Sequence, residues 1–165
     1  ERNDVRVVLD VWEPEPDISL DLLDKVVLGS PHIAGYSYDG KLKGTEMIYQ
    51  ALCKHLNRPA ELSIKDLVPP LANNQLDLAE EQTTWEQVKR LIAQVYSIAD
   101  DDKRLRALAE RARKGEDNFA IGFDSLRKHY PTRREFHNYQ VLGADDKTAE
   151  WLSVLGFGVA PSTNE

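Results

Sequence analysis

An imidazole and a carboxylate on neighbouring loops can work as an acid/base pair, and this sequence supplies both early. Glu15 stands between Pro14 and Pro16, and His32 directly follows Pro31. The two prolines restrict the backbone on either side of Glu15 and hold its carboxylate in place. A carboxylate that accepts the imidazole N–H fixes the tautomer and leaves the other ring nitrogen to take or deliver a proton near neutral pH. That chemistry suits oxidation of an alcohol, with His32 removing the hydroxyl proton as a cofactor takes the hydride. A third polar group, Asp10, follows the apolar run 5–9, which puts its carboxylate at the rim of a sheet, where it can accept hydrogen bonds from a ligand amide. Taken singly, each has a plainer reading: a strand-ending aspartate, a solvent-exposed loop glutamate, a structural loop histidine.

The elements that must position these groups can be read from the surrounding pattern. Residues 5–9 are β-branched and nearly all apolar, as a buried parallel strand is. A proline-rich polar loop, a helical turn around residues 20–23 and a second apolar run, Val26, Val27 and Leu28, follow, and Gly29, Ser30 and Pro31 stop that run. Asp39 is placed to cap the next helix, whose Leu42, Thr45, Tyr49, Leu52 and Leu56 recur at steps of three and four before Asn57 and Pro59 end it. Strand, turn, strand, loop and helix in this order are the closing units of a doubly wound α/β sheet of the Rossmann type, which binds its ligands beyond the carboxyl ends of the strands. Asp10, Glu15 and His32 all fall there.

The pattern predicts three regions: 1–58 in the dinucleotide-binding sheet, a Pro- and Asn-rich linker over 59–82, and a small α+β module over 83–165. In the module, Thr84 and Gln87 stand at capping-box spacing ahead of a helix with Trp85, Val88, Ile92 and Val95 on one face. A second helix carries Leu105, Leu108, Ala109 and Ala112, and its charges from Asp100 to Arg113 read as a solvated side. Strands are expected over 139–142 and 157–159, around a helix capped by Asp146. A module of roughly 80 to 90 residues is near the lower limit of independent stability and gains from pairing with another chain. A strand at 5–9 without earlier neighbours exposes an edge, so the first few dozen residues are expected to be disordered or to borrow contacts.

Composition bounds the function classes. The chain has 165 residues, 41% of them hydrophobic, and a net charge of −7, which allows a real core and argues against a dedicated nucleic-acid surface. No apolar run approaches the roughly 18 to 20 residues of a membrane span. The single Cys53 permits no internal disulfide and no multi-cysteine zinc site, so no metal is expected and the cytoplasm is the default compartment. The first residue is Glu rather than Met, so the chain is read as a piece of something longer. Gly35 to Leu42 has P-loop spacing, but Leu42 replaces the Ser or Thr that magnesium needs.

The run Val8-Leu9-Asp10-Val11-Trp12-Glu13-Pro14-Glu15-Pro16, followed by Ser30-Pro31-His32-Ile33-Ala34-Gly35, resembles the closing signature of the D-2-hydroxyacid dehydrogenases. The continuation through Tyr36-Ser37, Gly40-Lys41 and Gly44-Thr45 narrows the likeness to the branch that oxidises 4-phospho-D-erythronate with NAD in pyridoxal phosphate biosynthesis. Residues 123–130, Arg133-Arg134-Glu135 and Leu155-Gly156-Phe157 resemble the extra C-terminal dimerisation domain of that branch. The resemblance implies a homodimer, His32 as the acid/base group, Glu15 as the carboxylate that orients it, Asp10 facing the nicotinamide amide, Gly35 as a backbone contact to the cofactor, and Tyr36 as a substrate contact. Charge adds Arg133 or Arg134 as a candidate for the substrate phosphate, reaching it from the partner subunit.

The sequence also departs from that pattern. It has no glycine-rich cofactor turn, and Arg2 and Arg6 lie too close to the first strand, or within it, to serve as the family's carboxylate clamp. The isolated chain is therefore expected to be inactive. A reading from another class treats it as a non-catalytic dimerisation module that keeps part of a dehydrogenase site.

Overall fold

The computed structural model describes residues 4–78 and 83–160, so Arg2 and the end of the expected linker lie outside the described residues. In chain order the elements are β1 (Val8–Leu9), α1 (Leu20–Lys25), β2 (Leu28–Gly29), α2 (Tyr38–His55), β3 (Gln75–Asp77), α3 (Thr84–Val95), α4 (Ile98–Arg113), α5 (Phe119–Lys128), β4 (Gln140–Leu142), α6 (Asp146–Val154) and β5 (Gly158–Val159). They form two compact units, each built from two separated stretches: residues up to Tyr36 with Ser97–Pro131, and Ser37–Tyr96 with those from Thr132 onward. The units thus cut across the linear division at 58 and 82.

In the first unit β1 and β2 pair in parallel, Val8 opposite Leu28 and Leu9 opposite Gly29. The ladder extends through Val27 N–H to Val7 O at 2.8 Å and Ser30 N–H to Leu9 O at 2.9 Å. Parallel strands joined through α1 make an α/β unit, but a ladder this short is not by itself a doubly wound sheet. Its core joins Trp12, Ile18, Leu23 and Val26 to Leu105, Leu108, Ala109, Phe119 and Phe123. α4 and α5 of the same chain thus cover Trp12, Ile18, Leu23 and Val26, whereas the run 5–8 is exposed and only Leu9 packs partly against the core, so this is not the buried strand its composition suggested. Val5 and Val8 still stand about half exposed. A Cβ on Gly122 would collide with the side chain of Leu108, so the close crossing of α4 and α5 depends on that glycine.

The charged side of α4 is not simply solvated. Asp102 accepts the Gly29 N–H at 2.8 Å and pairs with Arg106 at 2.9 Å. Arg106 in turn donates to Leu23 O and Val26 O, each at 3.0 Å, satisfying carbonyls at the end of α1. Asp101 is buried, pairs with Arg104 and accepts the Tyr130 hydroxyl at 2.9 Å. Helical spacing could not show this, because Asp102 meets Gly29 across 73 residues of sequence.

The second unit holds a three-stranded parallel sheet in the order β3-β4-β5, with Leu76 opposite Val141 and Val141 opposite Val159. Leu76, Val88, Leu91, Val141, Ala144, Leu152 and Phe157 form its core, and Phe136 stacks on Phe157 at 4.5 Å. The expected strand-helix-strand arrangement is present as β4-α6-β5. β3 was not expected, because it lies in the Pro- and Asn-rich stretch and has one apolar residue, Leu76, to mark it.

Three helices begin one or two positions from the cap read in the sequence. Thr83 and Glu86, not Thr84 and Gln87, make the capping box of α3; Asp145, not Asp146, caps α6; and Ser37, not Asp39, caps α2. A cap needs extended backbone, and Thr83, Asp145 and Ser37 are the residues that have it. On α2, Ile48, Leu52 and Leu56 are exposed, so the apolar stripe read from its spacing is only partly covered. Among the described residues no helix is long and apolar enough to cross a membrane.

Candidate active site

The carboxyl ends of β1 and β2 bring Asp10, Glu15 and His32 together. His32 Nδ1 lies 2.7 Å from Glu15 Oε2. A carboxylate only accepts, so Nδ1 carries the proton and donates, and Nε2 is left for proton transfer. The His32 side chain is 38% exposed against 19% for Glu15, so the imidazole is reachable while its partner is largely covered. Glu15 is itself held, because its Oε1 accepts the Trp12 N–H at 2.8 Å. The peptide bonds Glu13–Pro14 and Glu15–Pro16 are both cis.

Asp10 organises the loop that carries His32. Its Oδ1 accepts the Ser30 hydroxyl at 2.7 Å and the Ile33 N–H at 2.8 Å, and its Oδ2 accepts the Ala34 N–H at 2.9 Å. Between these anchors His32 has a φ of 52°, in the left-handed region. That conformation costs a non-glycine residue about 1–2 kcal/mol. Hydrogen bonds to a charged group contribute about 1.5–3 kcal/mol each, so the Asp10 set is sufficient to hold it. Arg127 Nε adds a bond to His32 O at 3.3 Å from α5. The imidazole is therefore aimed by its neighbours through the backbone as well as through Glu15.

The loop then turns. Tyr36 N–H donates to Ile33 O at 3.0 Å, and Gly35, third of the four turn residues, has a φ of 74°, which a type II turn requires of that position. Nothing lies within 4 Å of where a Gly35 Cβ would stand, so backbone conformation rather than space selects glycine. Tyr36 meets Tyr130 edge-on at 6.0 Å and has the Arg127 guanidinium 5.5 Å from its ring centre.

Asp10 uses three of the roughly four acceptor positions of a carboxylate, leaving one for a ligand N–H. With the open backbone at Gly35, the residues present fit the amide-bearing end of a nicotinamide cofactor. Arg133 belongs to the second unit, where its guanidinium stacks 4.6 Å from the Tyr96 ring centre and lies 3.6 Å from Glu135. Arg134 grips Asp39 at 3.0 Å and donates to Pro69 O at 3.1 Å. Burial disfavours the charged form of Asp39, but the hydrogen bonds from Arg134 and the Glu135 N–H, together with the Arg134 charge, outweigh it and hold the carboxyl below its ordinary value.

Sequence reading missed three supports of the site. Trp12 is buried and its indole N–H donates to Ser30 O at 2.8 Å, pinning the loop to the core. Ser30 joins Asp10 as described. A tryptophan and a serine beside proline-bounded loops were signals available in the sequence; Arg127, 95 residues from its partner, left none.

A family described as "Domain of unknown function (DUF3410)" matches residues 67–156, more than half of the chain. The erythronate-4-phosphate dehydrogenase of Cellvibrio japonicus (strain Ueda107) is 63% identical over 158 residues, covering 94% of this chain and 42% of that protein. Proteins of the same name from Proteus mirabilis (strain HI4320) and Edwardsiella ictaluri (strain 93-146) are 43% and 44% identical, over 93% of this chain and 38% and 39% of their own lengths. The chain thus spans about two fifths of the length of the curated relatives it matches. The resemblance read from residues 8–16 and 30–35 is borne out, and this chain belongs to the DUF3410 family, its relatives over nearly its whole length being named erythronate-4-phosphate dehydrogenase.

Proposed function

We propose that the complete protein carrying this chain oxidises the 2-hydroxyl of 4-phospho-D-erythronate to the 2-oxo acid, with NAD, as a cytoplasmic step of pyridoxal 5′-phosphate biosynthesis. The observation that carries this reading is the 2.7 Å contact between His32 Nδ1 and Glu15, with Nε2 left to act on a substrate. The substrate is taken from the printed name of the relatives. NAD, when bound, supplies the hydride acceptor. His32 Nε2 takes the hydroxyl proton, and Glu15 stabilises the imidazolium that results. Asp10 and the Gly35 backbone hold the cofactor's amide end, and Tyr36 touches substrate. Arg133 is a candidate for the substrate phosphate by its charge alone, and Tyr96 and Glu135 already engage its guanidinium.

The test is NAD reduction by the complete protein with 4-phospho-D-erythronate. Wild type turns over, and His32→Asn lowers kcat by about 10²–10⁴-fold, the range of general acid/base catalysis. No reduction by wild type overturns the reading. The isolated 165-residue chain should show none, because a glycine-rich cofactor turn is missing from its sequence. A homodimer is part of the same proposal. Trp85, Trp151 and Val154, exposed on α3 and α6, are apolar surface that a second copy would cover. Light scattering should give twice the chain mass, and a monomer would remove this part.

A further inference from the structure

Beside the His32 loop lies a hollow of about 490 Å³ whose walls include Tyr36, Asp124, Ser125, Arg127, Lys128 and His129. We propose that this hollow is an anion subsite that takes a phosphomonoester, the phosphate end of the substrate. The proposal rests on the dehydrogenase reading above for the identity of that substrate. Cations in the last turn of α5 also offset the helix dipole, which is their ordinary role. Two features go beyond it. Arg127 and Lys128 both border this hollow against the single carboxylate of Asp124, so the lining carries a net positive charge in a chain whose net charge is −7, and such a local excess attracts an anion. Arg127 also joins that space to the catalytic loop, donating to His32 O at 3.3 Å while its guanidinium lies against Tyr36.

The remaining groups set the polarity of the hollow. Asp124, the acidic group in the wall, lies 3.8 Å from Arg127 Nη1, so its charge is drawn toward that guanidinium. The His129 Nδ1–H donates to Ser125 O at 3.1 Å, orienting the ring. Lys128 is exposed on the rim, where an ammonium acts as a point charge toward phosphate oxygens.

The same chemistry could be presented by the substrate's phosphate or by the pyrophosphate of NAD, and one variant, Lys128→Gln in the complete protein, separates them. Calorimetry with inorganic phosphate should show binding weakened about tenfold, the size expected for one charge-assisted contact. The preference in kcat/KM for 4-phospho-D-erythronate over unphosphorylated D-erythronate should fall by a similar factor through KM, with NAD affinity unchanged. Weakened NAD binding with that preference intact overturns the proposal and gives the hollow to the cofactor. No change in either overturns it in favour of ordinary surface cations. Failure of wild type to reduce NAD would sink the dehydrogenase reading alone, because phosphate calorimetry decides the subsite without turnover.

Discussion

Among the described residues each compact unit has one non-glycine residue in the left-handed region, and the two are held there by different means. Asn57, with a φ of 54°, follows α2, where Arg58 N–H bonds to Cys53 O at 2.9 Å and Asn57 N–H to Lys54 O at 3.2 Å. That is a Schellman end, satisfied entirely by the helix that precedes it. His32, with a φ of 52°, has no such local partner. Asp10 and Glu15 from the connection after β1, and Arg127 from α5, hold it from two other segments. The first case is a rule of helix termination. The second is strain imposed by tertiary contacts on a side chain able to move protons, which is how a site differs from a turn.

The largest effect that could break this contrast is catalytic. Glu15→Gln in the complete protein should lower kcat by about 10²-fold and change the pH profile, because the amide no longer selects the tautomer or stabilises the imidazolium. A change in melting temperature with kcat intact would make Glu15 a loop-packing group and His32 a second structural exception.

A smaller effect belongs to the second unit. The Asp39 carboxyl is held below its ordinary value, so its contribution is complete above the ordinary carboxylate range and is lost as pH falls through its lower folded value. Asp39→Asn should be less stable than wild type at neutral pH, with the difference closing in acid; urea unfolding at several pH values measures it. A difference independent of pH would show that the Arg134 grip contributes no charge-dependent stability. The smallest effect is expected at Asn57→Gly, which should be neutral or stabilising by up to about 1 kcal/mol, since glycine enters the left-handed region without a Cβ penalty. A marked loss there would mean that Asn57, too, is held by something beyond its helix.

Much of this was legible along the chain. Apolar spacing located α2, α3, α4 and α6 to within a few residues, and the proline-bounded Glu15 and His32 marked the loops that meet. The reading failed where partners are distant or signals short. Asp102 and Arg106 look like a solvated i,i+4 pair until Gly29, Leu23 and Val26 are seen against them. β3 has a single buried residue, Leu76, and prolines before it suggested a hinge. The apolar stripe of α2 has helical spacing, yet Leu52 and Leu56 remain exposed, because periodicity reports a face and not what covers it.

By itself the sequence determined roughly where α2, α3, α4 and α6 lie, though not α5, where the chemistry-bearing groups stand, and that an imidazole and a carboxylate share the loops after two apolar runs. Those are consequences of local backbone preference and side-chain spacing, which act over a few residues. Only the tertiary structure decided that residues 4–36 pack with residues 97–131, that Asp10 uses its carboxylate to hold a loop, and that Arg127 joins His32 to a basic hollow. Those depend on hydrogen bonds and burial between segments up to 95 residues apart, whose free energy exists only once the chain has brought them into contact.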